Sequence, residues 1–206
     1  DGDVWTYTAI DADSKLMITW LVAAGRNEEN ATAFLQDLRG RLANRIQLTT
    51  DGHGMYLAAV ERAFGWNRVD YAQIIKTYGN LEAGKDAGRR YSPPVCTGAL
   101  KERVMGNPVE ELVSTSYVER ANLTLRMQQR RFTRLTNAFS KKAENHAHAV
   151  SFYFMFYNFC RAHQTLTKDR KGVHTTPAMA AGLTDRVWKI EDIVAAMDPA
   201  NPIVVR

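Results

Sequence analysis

The chain has 206 residues, 45% of them hydrophobic and 24% charged, with a formal net charge of +5. That composition is ordinary for a globular protein with a real core, and it excludes a disordered polyelectrolyte. The longest apolar run, Ala147–Cys160, is shorter than the roughly 20 residues of a helical membrane span, and no secretory segment opens the chain, so a cytoplasmic protein with no membrane partner is expected.

Val4–Ile10 and Leu16–Val22 are rich in aromatic and β-branched residues and flank the turn chemistry of Asp11–Lys15, which predicts a β-hairpin. Asn27 is placed to cap a helix whose first turn holds Glu28 and Glu29. Ala31, Leu35, Leu38 and Leu42 fall on one face of that helix. Arg45–Thr50 is a short strand leading into Asp51-Gly52-His53-Gly54, Tyr56–Phe64 a short helix, and Val69–Tyr78 a further strand. From Gly79 to Asn107 the glycines Gly84, Gly88, Gly98 and Gly106 and the pair Pro93-Pro94 mark a long excursion, with a small hairpin near Ala99–Asn107. Ser114, Thr115 and Ser116 are placed to begin a helix running to about Asn137. A second long helix is expected from a cap at Ser140 to about His163, followed by a polar connector, Thr165–Thr176. Short helices over Pro177–Gly182 and, capped by Thr184, over Asp185–Met197 come next, and then a strand-like run, Pro202–Val205. Cys96 and Cys160 lack CxxC spacing and read as reduced core thiols.

The order of elements predicts an α/β domain with one mixed sheet, in which the hairpin joins parallel strands reached by helical crossovers. Chemistry in such sheets belongs at strand ends and at the helix starts facing them. Asp51 is at a strand end, although Asp-Gly is also an ordinary turn signal. Glu119, in a first helical turn, is the only acid between Tyr117 and Lys142, where Arg120, Arg126, Arg130, Arg131, Arg134, Lys141 and Lys142 make a basic block. Two readings fit it. Glu119 complements the helix dipole above a solvated arginine face, or it is a metal-binding carboxylate on a helix lying along phosphates. A basic block of this kind points to nucleic acid as partner. His146 and His148, two apart on a helix, do not share a face for zinc. Asn158, Arg161 and His163 fit helix termination and a buried hydrogen-bond network as well as they fit catalysis.

The segments TTDGHGMY, STSYVERANLTLRMQQRRFTRLTNAFSKK and YNFCRAHQTL, followed by TPAMAAG, resemble DDE-type transposases of bacterial insertion sequences, above all the insertion-sequence-one-like group of the retroviral-integrase superfamily. The resemblance implies an RNase H-like mixed sheet flanked by helices over residues 1–166, with a long insertion at 79–113 before the glutamate-bearing helix, and a helical C-terminal extension over 167–206. It implies catalysis by Asp51 and Glu119 holding Mg²⁺ or Mn²⁺, and DNA binding by Arg120, Asn122, Arg126, Arg130, Arg131 and Arg134. The partners it implies are transposon-end and target DNA and further copies of the chain. In this superfamily the first catalytic aspartate lies on a strand before the hairpin. The chain starts at the hairpin, so that aspartate is expected to be missing and activity weak or absent, with Asp11 and Asp13 serving only the turn. A DNA-binding remnant without chemistry and a hydrolytic nuclease of the same fold are the alternatives.

Overall fold

The computed structural model describes residues 4–66, 68–78, 96–132, 137–138 and 140–197. Arg134, the excursion's residues 79–95 and the strand-like run at 202–205 lie outside the described residues, as do Asp1 and Asp3. The chain divides into two compact units, one formed by the residues up to Arg26 together with those from Tyr117 onward, the other by Asn27–Ser116.

In the first unit, β1 (Trp5–Ile10) and β2 (Met17–Ala23) pair antiparallel, with a register shift between Ala9 and Ile10. The turn is held by Asp11. Its carboxylate accepts from the Ser14 N–H at 2.9 Å, and Lys15 takes the left-handed φ of 61°. This local bonding gives Asp11 the turn role expected of it. Met17 of β2 packs with Leu125 of α3 (Ser116–Gln128) and with Val150, Tyr153 and Phe154 of α4 (Ala143–Met155). Trp20 seals one side, its ring 5.1 Å from Phe154 and its indole N–H donating to Ser151 Oγ at 3.0 Å.

The long helix expected from Ser140 to His163 is instead α4, begun at a Lys142 cap, followed by a widened π turn over Phe156–Cys160. In that turn the buried Asn158 faces the outer edge of β2. Its Oδ1 accepts from Met17 N–H and its Nδ2 donates to Met17 C=O, both at 2.9 Å. One side chain thereby satisfies a strand edge as a neighbouring strand would. Where Thr165–Thr176 is expected as a polar connector, its first residues belong to α5 (Gln164–Asp169). Next, α6 (Pro177–Ala180) has Thr176 as its N-cap and Pro177 at its first position, where a missing N–H costs nothing. The last helix, α7 (Ile190–Ala196), begins later than expected. The Thr184 hydroxyl accepts from the Trp188 indole rather than capping a helix, and Asp192 accepts from Lys189 N–H at 2.7 Å. Phe159 and Trp188, 4.3 Å apart, centre the small core that these elements share with Ala178 and Ile193.

In the second unit, α1 (Glu28–Gly40) is capped by Asn27, whose side chain accepts from Asn30 N–H at 2.9 Å. Ala31, Phe34, Leu35 and Leu38 are its buried face, and Leu42 falls past its end. The α1 helix packs on α2 (Met55–Phe64), with Glu28 and Arg62 ion-paired across the contact. A three-stranded mixed sheet runs in the order β3 (Ile46–Asp51), β4 (Val69–Tyr78), β5 (Cys96–Met105). The β3–β4 pair is parallel and β4–β5 antiparallel. The small hairpin expected near Ala99–Asn107 is instead this ten-residue edge strand, whose charged Lys101, Glu102 and Arg103 are exposed. Cys96 is exposed at its start, so it is not a core thiol; Cys160 is half-buried.

The chain is therefore α/β, and among the described residues its strands form two sheets, the hairpin β1–β2 and the mixed sheet β3–β4–β5. After β5 the chain folds back over the strand ends. Asp70 accepts bidentate bonds from Arg45 and a third from Asn107 N–H at 2.6 Å, and these partners hold its carboxyl down at about 2. Gln47 meets the Val109 backbone with both ends of its amide, at 3.0 and 2.8 Å.

Candidate active site

Asp51 is the last residue of β3, exposed, and level with Ile74 on the parallel strand β4. Gly52 follows because nothing larger fits. A Cβ there would lie 2.8 Å from Ile75 Cγ1 and 3.0 Å from Ile75 Cα, with little room for the β4 backbone to retreat. The chain then enters α2, with Tyr56 N–H donating to His53 C=O at 3.1 Å.

Beneath this turn a polar network joins β3 and β4. Gln73, only 3% exposed, donates to the Tyr71 hydroxyl at 2.8 Å, and its Nε2 is 3.3 Å from Asp51 C=O and 3.4 Å from His53 C=O. Thr50 Oγ1 and the Tyr71 hydroxyl are 2.8 Å apart. One buried amide thus spans the two carbonyls that bracket Gly52, which fixes the direction in which Asp51 leaves the sheet. Burial pushes the Tyr71 phenol up to about 12; the bonds to Thr50 and Gln73 oppose the shift, and the Asp51 charge adds to it. Sequence reasoning missed this network, although a glutamine and a tyrosine in the run VDYAQIIKTY were the available signal.

Glu119 belongs to the other unit. It is exposed in the first turn of α3, where Ser114 Oγ accepts from Ser116 N–H at 3.2 Å. Helical spacing puts Glu119, Leu123, Arg126 and Met127 on one face, flanked by Arg120. All five are exposed, Leu123 by 47% and Met127 by 78%. The opposite face is anchored by Leu125. Asn122 is half-buried and turned to the hairpin, its Oδ1 accepting from Thr8 Oγ1 at 3.1 Å. Arg130 and Arg131 lie in a 3₁₀ turn, Arg130–Phe132, beyond the end of α3, and both are exposed. Arg131 donates to Ser140 Oγ, and burial, with the Arg131 charge second, pulls the nearby His146 pKa down.

Asp51 and Glu119 are hard oxygen donors open to solvent, the chemistry that Mg²⁺ or Mn²⁺ takes. No group of three His, Cys, Asp or Glu side chains that could hold a metal comes together among the described residues. Mg²⁺ sites commonly use one or two carboxylates and complete the shell with water and substrate phosphate, so each of these carboxylates by itself fits in kind. Among the described residues no helix is long and apolar enough to cross a membrane. No protein-family model, curated protein or solved structure matches this chain.

Proposed function

We propose that the chain is the catalytic region of a DDE-type DNA transposase of RNase H-like fold. Working as a multimer in the cytoplasm, it would cut DNA at the ends of a mobile element and join the freed 3′-hydroxyl to target DNA. The observation that carries this reading is the exposed Asp51 at the end of a parallel strand, its backbone set by the buried Gln73 amide. A carboxylate on a braced strand end is where α/β sheets hold reacting groups. The exposed acid and arginines of α3 support the same reading, since a helix bearing Arg120 and Arg126 beside Glu119 presents cations to phosphate oxygens while offering one carboxylate.

In this reading Asp51 and Glu119 would each offer a carboxylate to Mg²⁺ or Mn²⁺, which would supply charge neutralisation at the scissile phosphate and activation of the attacking oxygen. The protein's own part is to keep Asp51 directed out of the sheet, to seat the DNA backbone on Arg120, Arg126, Arg130 and Arg131, and to keep the Asn122 face of α3 against the hairpin. The test is a cleavage and strand-joining assay on element-end DNA with Mn²⁺, run on this chain and on a form extended upstream. Cutting and joining that disappear in both Asp51→Asn and Glu119→Gln are expected. DNA binding without cleavage in either form replaces the enzyme by a DNA-binding remnant, and cutting without joining replaces it by a nuclease.

A further inference from the structure

Among the described residues Arg41 meets Asp37, Arg45 meets Asp70, Arg62 meets Glu28 and Arg186 meets Asp192. Arg161 is different. It is half-buried just after the π turn and has no such counter-ion among the described residues. Its Nη1 and the Tyr153 hydroxyl are both shut off from water without a hydrogen bond of good geometry, and the guanidinium lies near enough to that hydroxyl to oppose the rise in pKa that burial gives the phenol. The part of the guanidinium that reaches solvent still carries a charge with no carboxylate beside it among the described residues, and an anion there would compensate it.

The open side is a cleft of about 410 Å³ lined by Gln128, Gln129, Tyr153, Phe156 and Arg161. Its polar lining consists of two amides, a phenol and a guanidinium, all able to donate, with no carboxylate among them. The surroundings are positive as well. His163, whose Nδ1 is also buried without a partner, has its pKa pulled down by burial and by the charges of Lys15 and Arg161.

We infer that this cleft binds a phosphate group, with Arg161 as the anchoring cation and Gln128, Gln129 and Tyr153 as supporting donors. Guanidinium is the side chain best matched to phosphate, through its planar fork of N–H groups. The cleft is open rather than enclosed, which suits a phosphate that belongs to a longer chain, such as a nucleic-acid backbone, as well as a free one. Neither Asp51 nor Glu119 lines the cleft, and only the choice of DNA as the natural source rests on the transposase reading.

The experiment is an NMR titration of the arginine Nε–H signals with inorganic phosphate, with chloride at matched ionic strength as control, followed by duplex-DNA binding over a range of salt. Arg161 is assigned by the signal lost in Arg161→Lys. A saturating phosphate shift at Arg161 that chloride does not reproduce is expected. Phosphate affinity should fall about tenfold or more in Arg161→Gln, by the loss of a charge-assisted hydrogen bond, and be largely kept in Arg161→Lys. Tyr153→Phe, which keeps the ring and the charge, should weaken phosphate several-fold and serves if Arg161→Gln does not fold. If the backbone of DNA is the source, the slope of log K against log salt falls by about 0.9 in Arg161→Gln. A phosphate shift with an unchanged slope, or with no DNA binding at all, keeps the site, makes a free phosphate ligand its occupant and in the second case removes the DNA reading. Phosphate acting no differently from chloride overturns the inference, even if DNA binds elsewhere on the protein.

Discussion

Replacing Asn158 with leucine isolates what one buried amide contributes to the first unit. Asn158 is 4% exposed and Met17 1%, and two bonds of 2.9 Å join the amide to both polar groups of the Met17 backbone. Leucine has the branching and heavy-atom count of asparagine with two bulkier methyl ends, so no cavity forms and any overpacking adds to the loss. What is lost is a partner for one buried N–H and one buried C=O, at roughly 1–3 kcal/mol each. The gain in apolar burial offsets about 1 kcal/mol of this. The net expectation for Asn158→Leu is a loss of about 3 kcal/mol. Urea unfolding followed by tryptophan fluorescence measures it, since Trp20 packs on the same core. The midpoint should fall with the slope unchanged. A loss below about 0.5 kcal/mol at unchanged slope would mean that water satisfies the β2 edge as well as Asn158 does, and would refute the bracing role.

Two further outcomes concern the second unit. Gly106 has φ of +69°, and a Cβ there would meet Asp70 Oδ1 and lie 2.9 Å from Val69 C=O, so Gly106→Ala both strains the turn and disturbs the clamp on Arg45 and Asn107. It should cost more than about 2 kcal/mol in thermal or urea unfolding, and an unchanged midpoint would show that the turn opens freely. The Tyr71 phenol, raised in the folded chain to about 12, gives the second. Below the ordinary tyrosine value of about 10 both folded and unfolded forms are protonated and stability does not depend on this group. As pH rises from about 10 towards 12 the unfolded phenol ionises first, so stability falls. The difference between alkaline titrations of the intact protein and Tyr71→Phe, read by phenolate absorbance, should show Tyr71 ionising late; ionisation near 10 would mean that the Thr50–Tyr71–Gln73 network is open to water.

Local chemistry made much of the second unit legible. An asparagine cap, two glutamates and a repeating apolar face predict α1, and ten residues of aromatic and β-branched character predict β4, because both signals act through the nearest neighbours along the chain. The same local signals erred where tertiary partners compete. Thr184 was placed to begin a helix, yet its hydroxyl takes the Trp188 indole, and a continuous apolar run looked like one helix although its end widens into a π turn that presents Asn158 to β2. Periodicity cannot distinguish a helix that continues from one that opens by a residue to meet a strand edge.

The candidate site divides in the same way. Asp51 after a strand, Gly52 behind it and Glu119 at the head of an arginine-bearing helix were visible in the sequence, because each depends on its own few neighbours. Only the folded structure showed that the hairpin pairs as a two-stranded sheet, that Gln73 reaches from β4 to the carbonyls on either side of Gly52, and that Arg161 beside an open cleft has no carboxylate partner among the described residues. These features depend on strand pairing, burial and the presence or absence of partners distant in sequence. The order of residues sets which groups are available, and packing sets which of them meet.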